Sequence, residues 1–202
     1  MDPKEQVKAG YDAVSYAYRP DDADDAEYAL WLSELAPHLP QSALVLDLGC
    51  GCGIPASRWL VDHGFTVTGV DLSPVQIERA RRLVPGADFR CADMTQIDFP
   101  DGTFDAIVCF YSIIHVPLPE QPALFRAMHR WMKSGGWLFA SVGSRPWTGT
   151  EDDWLGAGAT MYWSHEGTET YLRWVREAGF RLEWQRFIPE GQGGHTLLLA
   201  EA

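Results

Sequence analysis

The chain has 202 residues, a length typical of one globular domain. Apolar residues make up 46% and charged residues 22%, which excludes a disordered or fibrous chain. With 16 Lys and Arg against 28 Asp and Glu, the net charge is −12, and this disfavours nucleic acid or an anionic membrane as the main partner.

The cysteines and the N-terminal residues predict the compartment. Cys50, Cys52, Cys91 and Cys109 do not have the spacing of a zinc site, and we interpret them as buried free thiols of a reducing compartment. We find neither an apolar signal core nor an apolar run of about 18 residues. We therefore expect a soluble, cytoplasmic protein that does not insert into a membrane.

Strand and helix patterns alternate along most of the chain. The first five predicted strands are 43–48, 65–70, 88–91, 104–110 and 137–142. Predicted helices cover 54–63, the stretch from Ser73 to before Pro85, 120–133 and 168–178. Two further runs, 180–187 and 196–200, are joined by a glycine-rich loop and read as a hairpin, whereas 143–167 is predicted to be irregular.

This alternation favours an α/β fold with a doubly wound, mostly parallel sheet of seven strands whose last strand is antiparallel. Sheets of this kind bind ligands at the carboxyl ends of their strands. We therefore expect the functional residues in the loops after Leu48, Val70, Cys91 and Phe110.

The segment Val45–Ile54, VLDLGCGCGI, carries the strongest functional signal. Its three glycines follow the first predicted strand, where absent side chains let the backbone approach a ligand. The dinucleotide fingerprint GxGxxG/A would require a small residue at Ile54, so a nicotinamide oxidoreductase is disfavoured. A GxxxxGK[ST] phosphate loop is also missing from the sequence.

With Asp47 before the glycines, this segment resembles the first motif of the class I S-adenosylmethionine-dependent methyltransferases of the small-molecule type. The resemblance continues in chain order through Asp71, Ala92-Asp93-Met94 and Phe110-Tyr111, at the ends of the next three strands. It implies a Rossmann-like sheet and S-adenosyl-L-methionine as cofactor. It also implies that Asp71 holds the ribose hydroxyls, Asp93 the adenine amino group, and Phe110-Tyr111 the methionine end. Two alternatives stay open: Asp71 caps the helix at Ser73, and Asp93 is an ordinary turn residue.

The segment from Tyr11 to Tyr18, YDAVSYAY, resembles the N-terminal YDxxAxxY segment of many members, with Ser15 in place of the alanine. The resemblance implies that this segment folds over the cofactor. The predicted cofactor contacts are Tyr11, Tyr18, Asp47, Gly49, Gly51, Gly53, Asp71, Leu72, Ala92, Asp93, Met94, Phe110 and Tyr111.

Two histidines are candidate catalytic bases. His115 follows the fourth strand, and neutral imidazole can accept a proton near pH 7. The alternative for His115 is a structural histidine that bonds a loop carbonyl. His165 is the second choice. Trp147, Tyr162 and Trp163 are predicted to line an aromatic acceptor pocket, with core packing under a long loop as the alternative.

We interpret residues 1–202 as one methyltransferase domain, with a helical lid segment at 1–40 and an acceptor-pocket insertion at 143–167. The predicted function is methyl transfer to an O, N or S atom of a small molecule, mainly by proximity, with a histidine base and without a metal. Methylation of a peptide or protein side chain, and a noncatalytic cofactor-binding module, are the alternatives. The oligomeric state is not predicted.

Overall fold

A computed structural model describes residues 2–23 and 26–202. Met1, Asp24 and Asp25 of the predicted N-terminal segment lie outside the described residues. The helices are α1 Pro3–Tyr18, α2 Ala26–Leu35, α3 Ala56–Asp62, α4 Pro74–Leu83, α5 Gln121–Trp131 and α6 Thr168–Glu177. The strands are β1 Leu44–Leu48, β2 Thr66–Asp71, β3 Asp88–Cys91, β4 Phe104–Cys109, β5 Met132–Gly143, β6 Trp147–Trp154, β7 Ala159–His165, β8 Arg181–Glu190 and β9 Gly193–Glu201.

Seven of these strands form one sheet in the order β3-β2-β1-β4-β5-β9-β8. Strands β1 to β5 are parallel to one another, and β9 is antiparallel to both β5 and β8. The predicted fold class, including the antiparallel last strand, is confirmed.

Both faces of the sheet are covered by helices. Successive residues of a strand point to opposite faces, so Ile107 of β4 packs on one side with α5 and α6, and Val108 on the other with α2 and α3. The apolar run of β4 is therefore buried throughout, as is typical of a central parallel strand. This packing leaves the carboxyl ends of β1 to β4 as the edge at which a ligand can enter.

The prediction that 143–167 is irregular is wrong, because this stretch contains the antiparallel hairpin β6–β7. The sequence of β6, WTGTEDDW, is polar and mostly exposed, so it lacks the apolar alternation by which a strand is recognised. Pairing with β7 supplies its backbone hydrogen bonds. The hairpin lies against α1, and Gly10 allows the close approach: a Cβ at Gly10 would stand 2.7 Å from Met161 Cε.

The start of α4 also differs in one detail from the predicted capping box. Ser73 Oγ accepts a hydrogen bond from the Gln76 backbone N–H at 3.1 Å, as expected of an N-cap. The Gln76 side chain does not return this bond, because its Oε1 accepts from Ser15 Oγ on α1 at 2.8 Å. Asp71 replaces Gln76 in this role, because its carboxylate accepts from the Ser73 backbone N–H at 2.9 Å.

The cysteines carry free thiols, and Cys50, Cys52 and Cys109 are buried as predicted. Cys91 is exposed, contrary to that prediction, because it ends the edge strand β3. Over the described ranges, no helix combines the length and the apolar character needed to cross a bilayer.

Candidate functional site

A cavity of about 730 Å³ lies at the carboxyl ends of β1 to β4 and under α1. We call it the glycine-loop cavity. Eleven of the thirteen predicted cofactor contacts line it, as does His115: Tyr11, Tyr18, Gly49, Gly51, Asp71, Leu72, Ala92, Asp93, Met94, Phe110 and Tyr111. The strand order brings these residues together, although they span 100 positions of the chain.

The three glycines of the loop have different surroundings. Gly49 has φ +80°, and a Cβ there would stand 2.2 Å from Ser112 Cβ, so the loop needs glycine to pass the end of β4. Gly51 has φ +54°, and the single neighbour of a Cβ there would be Gln76 Nε2 at 4.0 Å. Its backbone therefore faces open space on the cavity wall. Gly53 does not line this cavity; a Cβ there would stand 3.1 Å from Phe89 Cζ.

Asp71 connects the glycine loop to the start of α4. Its Oδ2 accepts from the Gly51 N–H at 2.9 Å, and its Oδ1 accepts from the Ser73 N–H at 2.9 Å. Burial raises the pKa of Asp71 to about 6, and these backbone bonds limit the rise. Each carboxylate oxygen can accept a further bond, so a ligand hydroxyl can still be held. The helix-capping alternative and the ligand role are therefore compatible.

Asp93 is held by the N-terminal helix. Lys4 Nζ donates to Asp93 Oδ2 at 2.8 Å and also contacts Glu120, while Thr95 donates its N–H to Asp93 Oδ1 at 2.8 Å. Burial raises the pKa of Asp93, but the bonds from Lys4 and Thr95 outweigh it and hold the pKa below its usual value. The carboxyl is therefore ionised on the cavity wall. The Lys4 contact carries no recognisable sequence signal, because 89 positions separate the two residues.

Asp47 lies deeper than predicted. It lines a smaller cavity of about 430 Å³ behind the glycine loop, together with Gly49 and Arg19. Ser57 Oγ donates to Asp47 Oδ2 at 2.6 Å. Burial raises the pKa of Asp47 to about 7, since the hydrogen bonds from Ser57 do not replace the lost hydration.

His115 is buried at the junction between α1, the loop after β4 and β7. Its Nδ1 lies 2.7 Å from the Tyr162 carbonyl oxygen, which makes Nδ1 the protonated nitrogen. Its Nε2 then accepts from the Tyr11 hydroxyl at 2.9 Å. Burial lowers the pKa of His115 to about 4, so the imidazole is neutral at physiological pH. His115 thus bonds a backbone carbonyl, as the structural alternative supposed, but that carbonyl lies in strand β7 and not in a loop. The same histidine also lines the cavity wall.

A second cavity of about 850 Å³ adjoins the first, and we call it the aromatic cavity. Its lining comprises Tyr11, Tyr18, Arg19, Glu27, Tyr28, Tyr111, Ile114, His115, Trp154, Trp163, Glu190 and His195. Tyr11, Tyr18, Tyr111 and His115 line both cavities. The two spaces therefore share one wall.

One of the three predicted acceptor-pocket residues lines this cavity. Trp163 packs its ring on His115 at 4.4 Å between centroids, and its indole Nε1 is buried without a hydrogen-bond partner among the described residues. Tyr162 contributes the backbone carbonyl that holds His115. Trp147 is 44% exposed and lies outside the cavity.

The second-choice base also lies outside both main cavities. His165 Nδ1 is 2.7 Å from the Arg145 carbonyl oxygen, and burial lowers the pKa of His165. It shares a face of the hairpin with Trp163 but lies two residues further along β7, beside the exposed Trp147 ring and beyond the cavity. This position does not support a role for His165 at the reacting atoms.

The sequence analysis missed Glu190 and His195. They come from the β8–β9 hairpin, where Glu190 ends β8 and His195 lies in β9. Each is a single polar residue beside a glycine-rich turn, so neither forms a motif. Within the described ranges, no group of three or more His, Cys, Asp or Glu residues could hold a metal ion.

Comparisons with known proteins find similarity to methyltransferases. Residues 45–136 match the model of a methyltransferase domain family. The chain is 37% identical over 103 residues to the 2-methyl-6-phytyl-1,4-hydroquinone methyltransferase of Synechocystis, covering 50% of this chain and 32% of that protein. It is 32% identical over 154 residues to the ubiquinone biosynthesis O-methyltransferase of Pseudomonas aeruginosa, covering 69% and 65%. The chain thus spans about a third of the first relative's length and less than two thirds of the second's.

Among solved structures, the magnesium protoporphyrin IX methyltransferase of Synechocystis with bound S-adenosylhomocysteine superimposes with a TM-score of 0.75. The two chains are 18% identical, and the match covers 99% of each. At this identity the likeness shows the fold, which extends over nearly the whole chain.

Proposed function

Because the chain belongs to the class I S-adenosylmethionine-dependent methyltransferases, we propose that it transfers a methyl group to an O, N or S atom of a small-molecule acceptor. One observation carries this proposal: the glycine-loop cavity and the aromatic cavity share the wall formed by Tyr11, Tyr18, Tyr111 and His115. A cofactor in the first cavity and a small acceptor in the second would lie side by side across this wall.

The residues of the glycine-loop cavity fit the family's cofactor, S-adenosyl-L-methionine. Gly51 offers backbone with no side chain in the way, Asp71 offers carboxylate oxygens to ribose hydroxyls, and the ionised Asp93 offers an acceptor to an amino group. Bound there, the cofactor supplies an activated methyl group on a sulfonium. The protein's task is then to place the acceptor in line and to keep water out.

The aromatic cavity supplies the acceptor's surroundings. Its Tyr and Trp rings favour a planar or apolar molecule, and the unpartnered Trp163 N–H can donate to a polar atom of that molecule. Glu27 and Glu190 disfavour an acceptor with a large negative charge. Among the relatives, the one named for a hydroquinone agrees with an aromatic pocket, whereas those named for phosphoethanolamine do not. The proposal of a planar acceptor therefore depends on the lining of the cavity and not on the relatives.

His115, the first candidate base of the sequence analysis, is proposed to act on the reaction through Tyr11. Its neutral Nε2 accepts from the Tyr11 hydroxyl and orients that phenol on the wall between the cavities. Its Nδ1 is held by the Tyr162 carbonyl, so both ring nitrogens are occupied, and charging this imidazole is costly at a pKa of about 4. His115 therefore positions Tyr11 and does not take the acceptor's proton.

Calorimetric titration with S-adenosylmethionine, S-adenosylhomocysteine and NADH tests the cofactor assignment. We expect micromolar binding of the first two and no heat with NADH. Methyl transfer from labelled S-adenosylmethionine to phenols, amines and thiols then tests the acceptor class. Binding of both sulfur nucleosides without transfer to any of these acceptors would favour a noncatalytic binding module or a peptide acceptor.

A further inference from the structure

The proposed methyl transfer leaves a proton behind whenever the acceptor atom carries one. Two histidines on the wall of the aromatic cavity, His115 and His195, could receive it. Their surroundings differ in the charge that faces each ring, and this difference decides between them.

His115 is held by neutral partners, the Tyr162 carbonyl at Nδ1 and the Tyr11 hydroxyl at Nε2. No Asp or Glu in the described ranges forms an ion pair with it. A proton placed on this buried ring would lack a counter-charge, which makes His115 a poor final acceptor.

His195 is held by a carboxylate. Its Nδ1 lies at an ion-pair distance of 3.2 Å from Glu190 Oε2, without the geometry of a hydrogen bond, and the two residues sit on adjacent strands at the same end of the β8–β9 hairpin. The proximity of His195 is the main reason that the pKa of Glu190 is below its usual value, and the nearby Tyr111 hydroxyl lowers it further, so the carboxylate is ionised.

An ionised carboxylate at Nδ1 has two effects on an imidazole. It selects the tautomer with the proton on Nδ1, which leaves the Nε2 lone pair as the base, and it stabilises the imidazolium that forms. The His195 ring stands edge-on to Tyr111 at 5.0 Å between centroids, and Tyr111 lines both cavities. His195 is therefore on the side of the aromatic cavity that adjoins the methyl donor's site.

We propose that His195 is the general base of the reaction and that Glu190 is its positioning residue. This inference rests on the proposed function. As the acceptor atom bonds to the methyl carbon, the sulfur–methyl bond breaks and the sulfur keeps its electron pair. The acceptor's proton passes to His195 Nε2, which forms an imidazolium paired with the Glu190 carboxylate. A base is needed only for an acceptor that is protonated at the working pH.

Two phenols of different acidity separate this role from a structural one. Catechol keeps its proton near neutral pH, whereas 4-nitrocatechol is largely ionised and needs no base. We expect Glu190→Gln and His195→Gln to lower catechol methylation by about 100-fold, within the usual range for a general base. Methylation of 4-nitrocatechol should stay within about threefold of wild type. Glu183→Gln, on the exposed part of β8, is the matched control and should leave both rates unchanged.

An equal loss with both phenols would show a structural or binding role, and no loss with either would show that another group takes the proton; each result overturns the proposal.

A second measurement does not depend on the acceptor. In the full-length protein with S-adenosylhomocysteine, ¹⁵N NMR of His195 should show the Nδ1–H tautomer at neutral pH, and Glu190→Gln should change its population. The Nε2–H tautomer would refute the assignment. If wild type methylates neither phenol, the proposed function fails for phenols, and the NMR result alone decides on the base.

Discussion

The hydroxyl of Tyr11 lies 2.9 Å from Nε2 of His115, and this contact joins residues 104 positions apart. It connects α1 to the loop after β4 at the wall shared by both cavities. Because the Tyr162 carbonyl fixes the other ring nitrogen, the His115 ring can neither rotate nor change tautomer without losing a bond.

Tyr11→Phe removes this hydrogen bond and keeps the ring. We expect the free energy of unfolding to fall by about 1 kcal/mol, because His115 Nε2 is left buried without a hydrogen bond. Methyl transfer should fall by about tenfold, an effect of about 1.4 kcal/mol on the barrier. Chemical denaturation and turnover with one fixed acceptor measure the two effects. Tyr16→Phe on the exposed side of α1 is the control, and a similar loss there would exclude a specific role for the Tyr11 hydroxyl.

Asp71→Ala is expected to weaken S-adenosylmethionine binding by about 1.5–3 kcal/mol, the value of a hydrogen bond to a charged group. The change also frees the Gly51 and Ser73 N–H groups, so the glycine loop loses its link to α4. Calorimetry measures the affinity, and Asp88→Ala on the exposed start of β3 serves as control. Unchanged affinity in a folded Asp71 variant would remove this residue from the cofactor site.

Gly51→Ala should fold, with about 1 kcal/mol of strain from φ +54°, and bind S-adenosylmethionine at least about tenfold more weakly. Gly49→Ala should fail to accumulate as a folded protein, since its Cβ would stand 2.2 Å from Ser112 Cβ. Gly156 has a similar φ of +68°, and a Cβ there would meet open space. Gly156→Ala is therefore the control for backbone strain alone. Equal affinities of the Gly51 and Gly156 variants would show that Gly51 does not face the ligand.

Asp47→Asn tests the buried carboxyl. The pKa of Asp47 is about 7 in the folded chain and about 3.9 when unfolded, so the unfolded chain loses the proton first as pH rises. The contribution of Asp47 to the free energy of unfolding therefore falls as the pH rises from about 3.9 to about 7, and it stays reduced above pH 7. The Asn variant lacks this loss, and its advantage should grow by about 2 kcal/mol from pH 5.5 to pH 8.5. Urea denaturation at both values measures it, and a constant difference would contradict the assigned pKa.

The parts of the site that follow strand ends could be predicted from the sequence. A short apolar run that ends in glycines or an acid defines both a strand and its carboxyl edge, so Gly51, Asp71 and Asp93 could be located without coordinates. Their surroundings could not be predicted. Lys4 reaches Asp93 from the first turn of α1, and nothing near either residue indicates that contact.

The acceptor side was harder to predict because hairpins form it. Trp147 and Trp163 lie on the same face of the β6–β7 hairpin, because Trp147 pairs with His165 and Gly149 pairs with Trp163, yet Trp147 is exposed and Trp163 lines the cavity. The difference depends on what packs against each part of the hairpin, which the sequence does not show. Glu190 and His195 meet through the register of β8 and β9.

The close packing of Gly10 against Met161 joins α1, which lines both cavities, to β7, which lines the aromatic cavity through Trp163. A molecule in one cavity that shifts α1 changes the free energy of filling the other. Such coupling is reciprocal: if the first molecule tightens the second by some factor, the second tightens the first by the same factor. A larger residue at position 10 would displace Met161 and is expected to change this factor without touching either molecule.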